Sequence, residues 1–187
     1  MKPSVDAGKL RDVLQVLELK ESPEGTWTWQ KVRKARGAVE LSTGRNLFSS
    51  VGIGARGAEI ILRRQPLTLH NALLWGEQHL FLSAILPEGR LHLRVQAALV
   101  EPTECQADMD QRGGIRFPGI LTEKYMKWEQ PEPYSVNRLA YVLVTPKPIQ
   151  LQRGSLVGVS GINYEVQLAH TLDPYKSEYE IVRTEDL

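Results

Sequence analysis

Only one cysteine, Cys105, is present in the chain. No internal disulfide can brace the fold, which suits folding in a reducing cytoplasm. Long hydrophobic runs are missing too. No stretch approaches the roughly 18 uninterrupted apolar residues of a membrane span, and the opening residues, Met1 to Leu10, hold no apolar core of signal-peptide type. The expectation is a soluble chain made in the cytoplasm, with no membrane partner. Charge of one sign is also lacking: the formal net charge of +1 argues against an indiscriminate nucleic-acid binder, which carries a large basic excess. Apolar residues at 42% and charged residues at 24% are near the globular average and exclude a disordered chain. The 187 residues suit one ordinary domain or two small ones.

The signatures of catalysis are absent as well. There is no G-x-S-x-G elbow, and Cys105 stands in a turn-rich stretch with no motif around it. His70, His79, His92 and His170 are scattered, with neither H-E-x-x-H nor a Cys/His cluster of zinc spacing. Asp108-x-Asp110 reads more simply as a solvated acidic stretch than as a cation site. Gly52-Ile53-Gly54 lacks the downstream glycine of a phosphate-cradling loop, and the Gly113–Phe117 run lacks the flanks of an RNA-binding motif. These gaps point away from an enzyme, and no cofactor or metal is expected. A hydrolase assembled in space without motifs stays open as a rival, with His79 and His92 the side chains to test.

What is present is mostly β. Ser22-Pro23-Glu24-Gly25 is a turn signal between two extended arms, the first carrying Val13, Leu14 and Leu17, the second Trp27, Trp29 and Val32. A short helix is expected over residues 5–10. Residues 42–56 hold three glycines (Gly44, Gly52, Gly54) and three serines and read as a long mobile loop, of the kind that is usually functional. Strand candidates follow at 58–64, 78–86 and 91–99; in the last, Leu91, Leu93 and Val95 alternate with His92 and Arg94. Residues 102–118, rich in Pro, Gly and Asp, read as a linker. Beyond it come candidates at 120–128, 139–145, 156–159, 163–170 and 177–183, with no long amphipathic helix.

The halves echo each other. Gln65-Pro66-Leu67-Thr68-Leu69 answers Lys147-Pro148-Ile149-Gln150-Leu151, with matching strands before and after; Pro66 and Pro148 lie 82 positions apart, Leu80 and Tyr164 lie 84 apart. Shared turn residues in any two β-meanders are the plainer alternative. Charge is unevenly spread. Over residues 30–64, Lys31, Arg33, Lys34, Arg36, Arg45, Arg56, Arg63 and Arg64 face two acids, whereas residues 170–187 hold Asp173, Glu178, Glu180, Glu185 and Asp186 against two cations. Opposite charge at the two ends suits head-to-tail contacts between identical subunits, through Lys31, Arg33, Lys34 and Arg36 on one side and Glu178, Glu180, Glu185 and Asp186 on the other. A solvated strand face and contact with DNA phosphates are the other readings.

Ala7-Gly8-Lys9-Leu10-Arg11, then Trp29-x-x-Val32, Ala38-Val39-Glu40 and Thr43-Gly44-Arg45-Asn46-Leu47-Phe48, followed by Ile60-Ile61-Leu62-Arg63, resemble the phage head–tail joining family, also called head-closure or stopper proteins. The likeness covers residues 7–100. It implies a small β-barrel assembling as a homo-oligomeric ring between portal or adaptor and tail, with double-stranded DNA passing through without sequence preference. The loop after the Gly-Arg motif would face the channel, so Arg45 and Arg56 would meet DNA, and Gly44, Gly52 and Gly54 would let the loop swing. The expected place is the virion, after synthesis in a host bacterium. Residues 1–101 would be the joining-like unit, 102–118 the linker, and 119–187 a second barrel-like unit, with which the chain departs from the family. That departure leaves a minor capsid or tail-completion role open. A tandem barrel of oligonucleotide-binding type, stacking bases on Trp27, Trp29 or Tyr141, is the main rival.

Overall fold

The computed structural model describes residues 8, 10–109, 113–124 and 141–186. Among these there is no α-helix, and twelve strands carry the fold. The first six are β1 (Asp12–Glu21), β2 (Trp27–Asn46), β3 (Ala55–Arg63), β4 (Ala72–Trp75), β5 (Gln78–Glu88) and β6 (His92–Val100). The second six are β7 (Thr103–Met109), β8 (Gly113–Glu123), β9 (Tyr141–Pro146), β10 (Leu156–Val159), β11 (Ile162–His170) and β12 (Lys176–Arg183), followed by a 3-10 turn at Thr184–Asp186. The expected N-terminal helix is not seen; of residues 5–10 only Gly8 and Leu10 are described.

Each set of six closes into a barrel. The first runs β1-β2-β3-β6-β5-β4 with β4 pairing back onto β1, and the second runs β7-β8-β9-β12-β11-β10 with β10 pairing back onto β7. Counted within each set, the order is the same: first, second, third, sixth, fifth, fourth. Closure removes the open strand edges that would otherwise template pairing with other chains. The echo in the sequence falls on equivalent strands. Ile60-Ile61-Leu62 lies on β3 and Tyr141-Val142-Leu143 on β9, while Leu80 lies on β5 and Tyr164 on β11. The two proline segments do equivalent work as well: Leu67 and Leu69 pack against the first core, and Ile149 and Leu151 are buried in the second.

The cores follow from period-2 alternation. In the first barrel Leu14, Val16, Ile60, Leu62, Leu73 and Leu80 are buried, each contributing about 1.5–3 kcal/mol relative to exposure. In the second, Phe117, Leu143, Val157, Tyr164, Tyr179 and Ile181 do the same. Tyr179 keeps its hydroxyl satisfied there: it donates to the Ile149 carbonyl at 3.0 Å and accepts from the Leu151 N–H at 3.0 Å.

The expected linker over 102–118 is instead two paired strands. β7 and β8 pair from Thr103↔Gly119 to Met109↔Gly113. Cys105 and Ala107 on β7, and Ile115 and Phe117 on β8, alternate into the core, a pattern obscured by Pro102, Gly113, Gly114 and Pro118. Gly119 is required by close approach: a Cβ there would stand 2.7 Å from Leu143 Cδ1 and 2.8 Å from Cys105 Sγ. The division at residues 101 and 119 also changes. One compact unit is Met1–Lys20, Trp29–Phe48 and Gly54–Glu101; the other is Glu21–Thr28, Ser49–Ile53 and Pro102–Leu187. Two short segments from the first half of the chain therefore belong to the second unit.

Burial fixes the chemistry of Cys105. It is 1% exposed, and desolvation pushes its thiol up to about 12, with a hydrogen bond involving the Gly119 backbone pulling weakly the other way. At neutral pH it is a thiol rather than the reactive thiolate. The expected result is no reaction with a chromogenic disulfide reagent in the native protein, and one equivalent released once denaturant unfolds the second barrel. Rapid native labelling would contradict this burial.

Candidate functional site

The cationic stretch of the first unit is built on the β2–β3 ribbon. Its register runs from Gly37↔Leu62 to Leu41↔Ala58, slips at an irregularity, and resumes with Arg45↔Arg56 and Asn46↔Ala55. Residues 42–46 are therefore strand, and the expected long loop over 42–56 contracts to residues 47–54. Arg45 and Arg56 are exposed and directly opposite each other, a like-charge pairing that costs a few tenths to about 1 kcal/mol unless an anion meets it. Asn46 pins the end of the ribbon, donating to Ser83 Oγ at 2.9 Å and to the Ala97 carbonyl at 3.2 Å. Gly44 is held by a turn in which its N–H donates to Ser42 Oγ at 3.0 Å. Phe48 is buried with its ring 5.5 Å from that of Phe81. These anchors are at odds with the mobile loop expected from glycine and serine content.

The segment Ser49–Ile53, grouped with the second unit, is held by Glu178 on β12. The Glu178 carboxylate accepts from Ser49 Oγ at 2.7 Å, from the Ser50 N–H at 3.0 Å and from the Val51 N–H at 3.2 Å, and pairs with Lys176 Nζ at 2.7 Å. Burial alone would raise its pKa, but hydrogen bonds from Lys176, Ser49 and Ser50 outweigh that and hold the carboxyl below its usual range. Gly52 closes the same turn: its N–H donates to Ser49 Oγ at 2.8 Å, and a Cβ would fall 2.3 Å from Thr122 Cγ2.

This revises the acidic face expected from the C-terminal charges. Glu178 is 3% exposed and so is not presented to a neighbour. Glu180 is engaged internally by Lys124 Nζ at 2.6 Å and His170 Nε2 at 3.0 Å. Burial would raise its pKa, and the bonds from Lys124 and His170 bring it below the usual range. Glu185 is exposed, and the Asp186 side chain lies outside those described. On the basic side, Arg33 is taken up by Gln65 Oε1 at 3.1 Å and by the Pro66 carbonyl. Lys31, Lys34 and Arg36 are exposed. Lys34, Arg36 and Arg63 line one groove of about 410 Å³, with Leu10, Ala35 and Gln65 completing the wall.

The other candidates are spread over both units. Trp29 is half-buried with its ring 5.5 Å from that of His79. Trp27 and Tyr141 pack against the second core, Tyr141 with its ring 5.7 Å from that of Tyr164. All three are half-buried, each keeping part of its surface exposed. His79 is buried and His92 half-buried, on separate strands of the first barrel. Asp108 is exposed, and Asp110 lies outside the described residues. Among the described residues no three His, Cys, Asp or Glu side chains gather as metal ligands. Comparison with family models, curated proteins and solved structures gives no match.

The Glu178 anchorage escaped sequence reasoning because its donors lie 127 to 129 residues away. Tyr179 and Ile181 take the core-facing steps of β12, so Glu178 alternates onto the other face, where a charge is ordinary and gives no local sign that a distant segment covers it.

Proposed function

We propose that this chain is a structural protein of the head–tail interface of a tailed-phage particle or prophage. It would act as a connector or head-closure subunit that forms a homo-oligomeric ring around passing double-stranded DNA. The observation that carries the reading is the pattern Trp29-x-x-Val32 followed by Gly44-Arg45-Asn46-Leu47-Phe48 in a unit that closes as a six-stranded barrel. That is the combination a head–tail joining protein calls for. Its partners would be copies of itself, portal or adaptor proteins, and tail proteins of the same particle, in the virion after synthesis in a host bacterium.

The second barrel of identical strand order favours a two-unit version of such a subunit, in which a ring displays twice as many barrels as chains. Arg45 and Arg56, abreast at one end of the β2–β3 ribbon, are the side chains assigned to DNA. They would act by charge, without sequence preference. Because residues 42–46 are strand, the DNA-facing element in this reading is a braced ribbon end rather than a swinging loop.

The test is direct. Purified protein, alone and with portal, should give closed rings in negative-stain electron microscopy and a matching mass by light scattering. A monomer under every condition, portal included, would refute the proposal.

A further inference from the structure

We propose that the groove lined by Lys34, Arg36 and Arg63 binds phosphate groups carried on a polyanion. The site is separate from the Arg45/Arg56 pair and stands independently of the head–tail reading. Gly37↔Leu62 is the end pair of the β2–β3 register, Arg36 and Arg63 are the residues next to it on the two strands, and Arg63 pairs with His92 on β6. Lys34 lies two residues before Arg36 on the same strand face, about 7 Å away. Three cations thus converge on one groove of about 410 Å³.

Folding offers no account of this convergence. Like charges gathered on neighbouring strands repel, and no ion pair to Lys34, Arg36 or Arg63 occurs among the described residues. The nearest acids along the ribbon are committed or distant. Asp12 accepts the Val39 N–H at 2.9 Å, and Glu59 is paired with Arg94. Glu40 lies four residues from Arg36 and Glu59 four from Arg63, about 13 Å along each strand, beyond the roughly 10 Å screening length at 0.1 M salt.

The chemistry of the cations selects the ligand. Two guanidinium groups lining one groove offer N–H forks that match phosphate oxygens, and the ammonium adds a point charge. A single carboxylate would neutralise one of three charges, whereas successive phosphates answer all of them. The buried Leu10 and the small Ala35 floor the groove, leaving the cations as its polar recognition groups beside Gln65.

The experiment uses the full-length protein, a short fluorescent DNA duplex, inorganic tripolyphosphate and polyglutamate. Anisotropy is read across about 50–200 mM salt, where each phosphate contact contributes about 0.9 to the slope of log affinity against log salt. The Lys34→Gln/Arg36→Gln/Arg63→Gln variant should lose at least about tenfold in affinity and about 2 to 3 from that slope. Arg36→Lys/Arg63→Lys should keep the slope, which separates lost charge from lost fold. Arg45→Gln/Arg56→Gln should leave tripolyphosphate binding by the groove intact. Duplex binding lost in the triple variant identifies a nucleic-acid backbone as the source. Tripolyphosphate binding lost in that variant, with no duplex binding, identifies a free polyphosphate. The proposal is overturned if neither probe binds, if the triple variant binds as the parent does, or if polyglutamate competes as well as the phosphates.

Discussion

Lowering the pH from neutrality towards 4 should weaken the first barrel by about 3 kcal/mol, and His79→Phe should remove that loss. His79 is 8% exposed on β5, with the Trp29 ring packed beside it. Burial disfavours the imidazolium and lowers the pKa from 6.5 to about 4. The folded state thus holds a neutral ring at pH values where the unfolded chain has already bound a proton. Protonation then draws the equilibrium towards the unfolded state as pH falls through 6.5, and the loss is complete near 4, below which both states are protonated. A drop of this size is a large share of the total stability of about 5–15 kcal/mol typical of a domain. Denaturant midpoints combined with hydrogen exchange, which reports first-barrel peptides separately from second-barrel ones, would measure it. If the His79→Phe protein retains the same slope between pH 6.5 and 4, another group is responsible.

Strand content was legible wherever alternation was clean, and the reasons for failure elsewhere are local. Leu93 and Val95 announce β6 because one barrel face is core and the other is solvent, whereas Leu91, which continues the alternation in sequence, stands in the turn before the strand and is exposed. Cys105, Ala107, Ile115 and Phe117 carry the same alternation, but glycines and prolines at the strand ends lent the stretch the look of a linker. Residues 42–46 have loop composition yet remain strand, since backbone pairing with β3 and the Asn46 side-chain bonds outweigh weak β-propensity. The echo between the halves was readable because each proline segment and each following strand must fill the same place in a barrel of the same order. Charge was the least readable property. Glu178 and Glu180 look like Glu185 in sequence, and Arg33 looks like Lys34 and Arg36; only their partners in space divide those engaged inside the fold from those left facing solvent.

Replacing Glu178 should produce the largest loss in the second unit. Glu178→Ala would remove the acceptor for Ser49 Oγ and for the Ser50 and Val51 N–H groups, and would leave Lys176 without its carboxylate. Each hydrogen bond to a charged group contributes about 1.5–3 kcal/mol net, and the carboxylate accepts several at once from a buried position. Water entering at Ser50, which is exposed, offsets part of this, so a loss of about 3 kcal/mol is expected. The effect should be concentrated: amides of Ser49–Ile53 should exchange far faster, while those of β9 and β11 slow or speed only with global stability. Glu178→Gln, which keeps shape and an acceptor oxygen, should lose less and keep partial protection of the Ser50 N–H. Because the carboxyl sits below its usual range, its stabilisation is present above about 4.5 and disappears as pH falls through the folded pKa. The second unit should therefore hold in the window where the first is already losing stability through His79. Unchanged protection of residues 50–53 in Glu178→Ala would mean that the turn is held by Gly52 packing on Thr122 rather than by the carboxylate, and Gly52→Ala, whose Cβ would meet Thr122 Cγ2 at 2.3 Å, would then be the more damaging change.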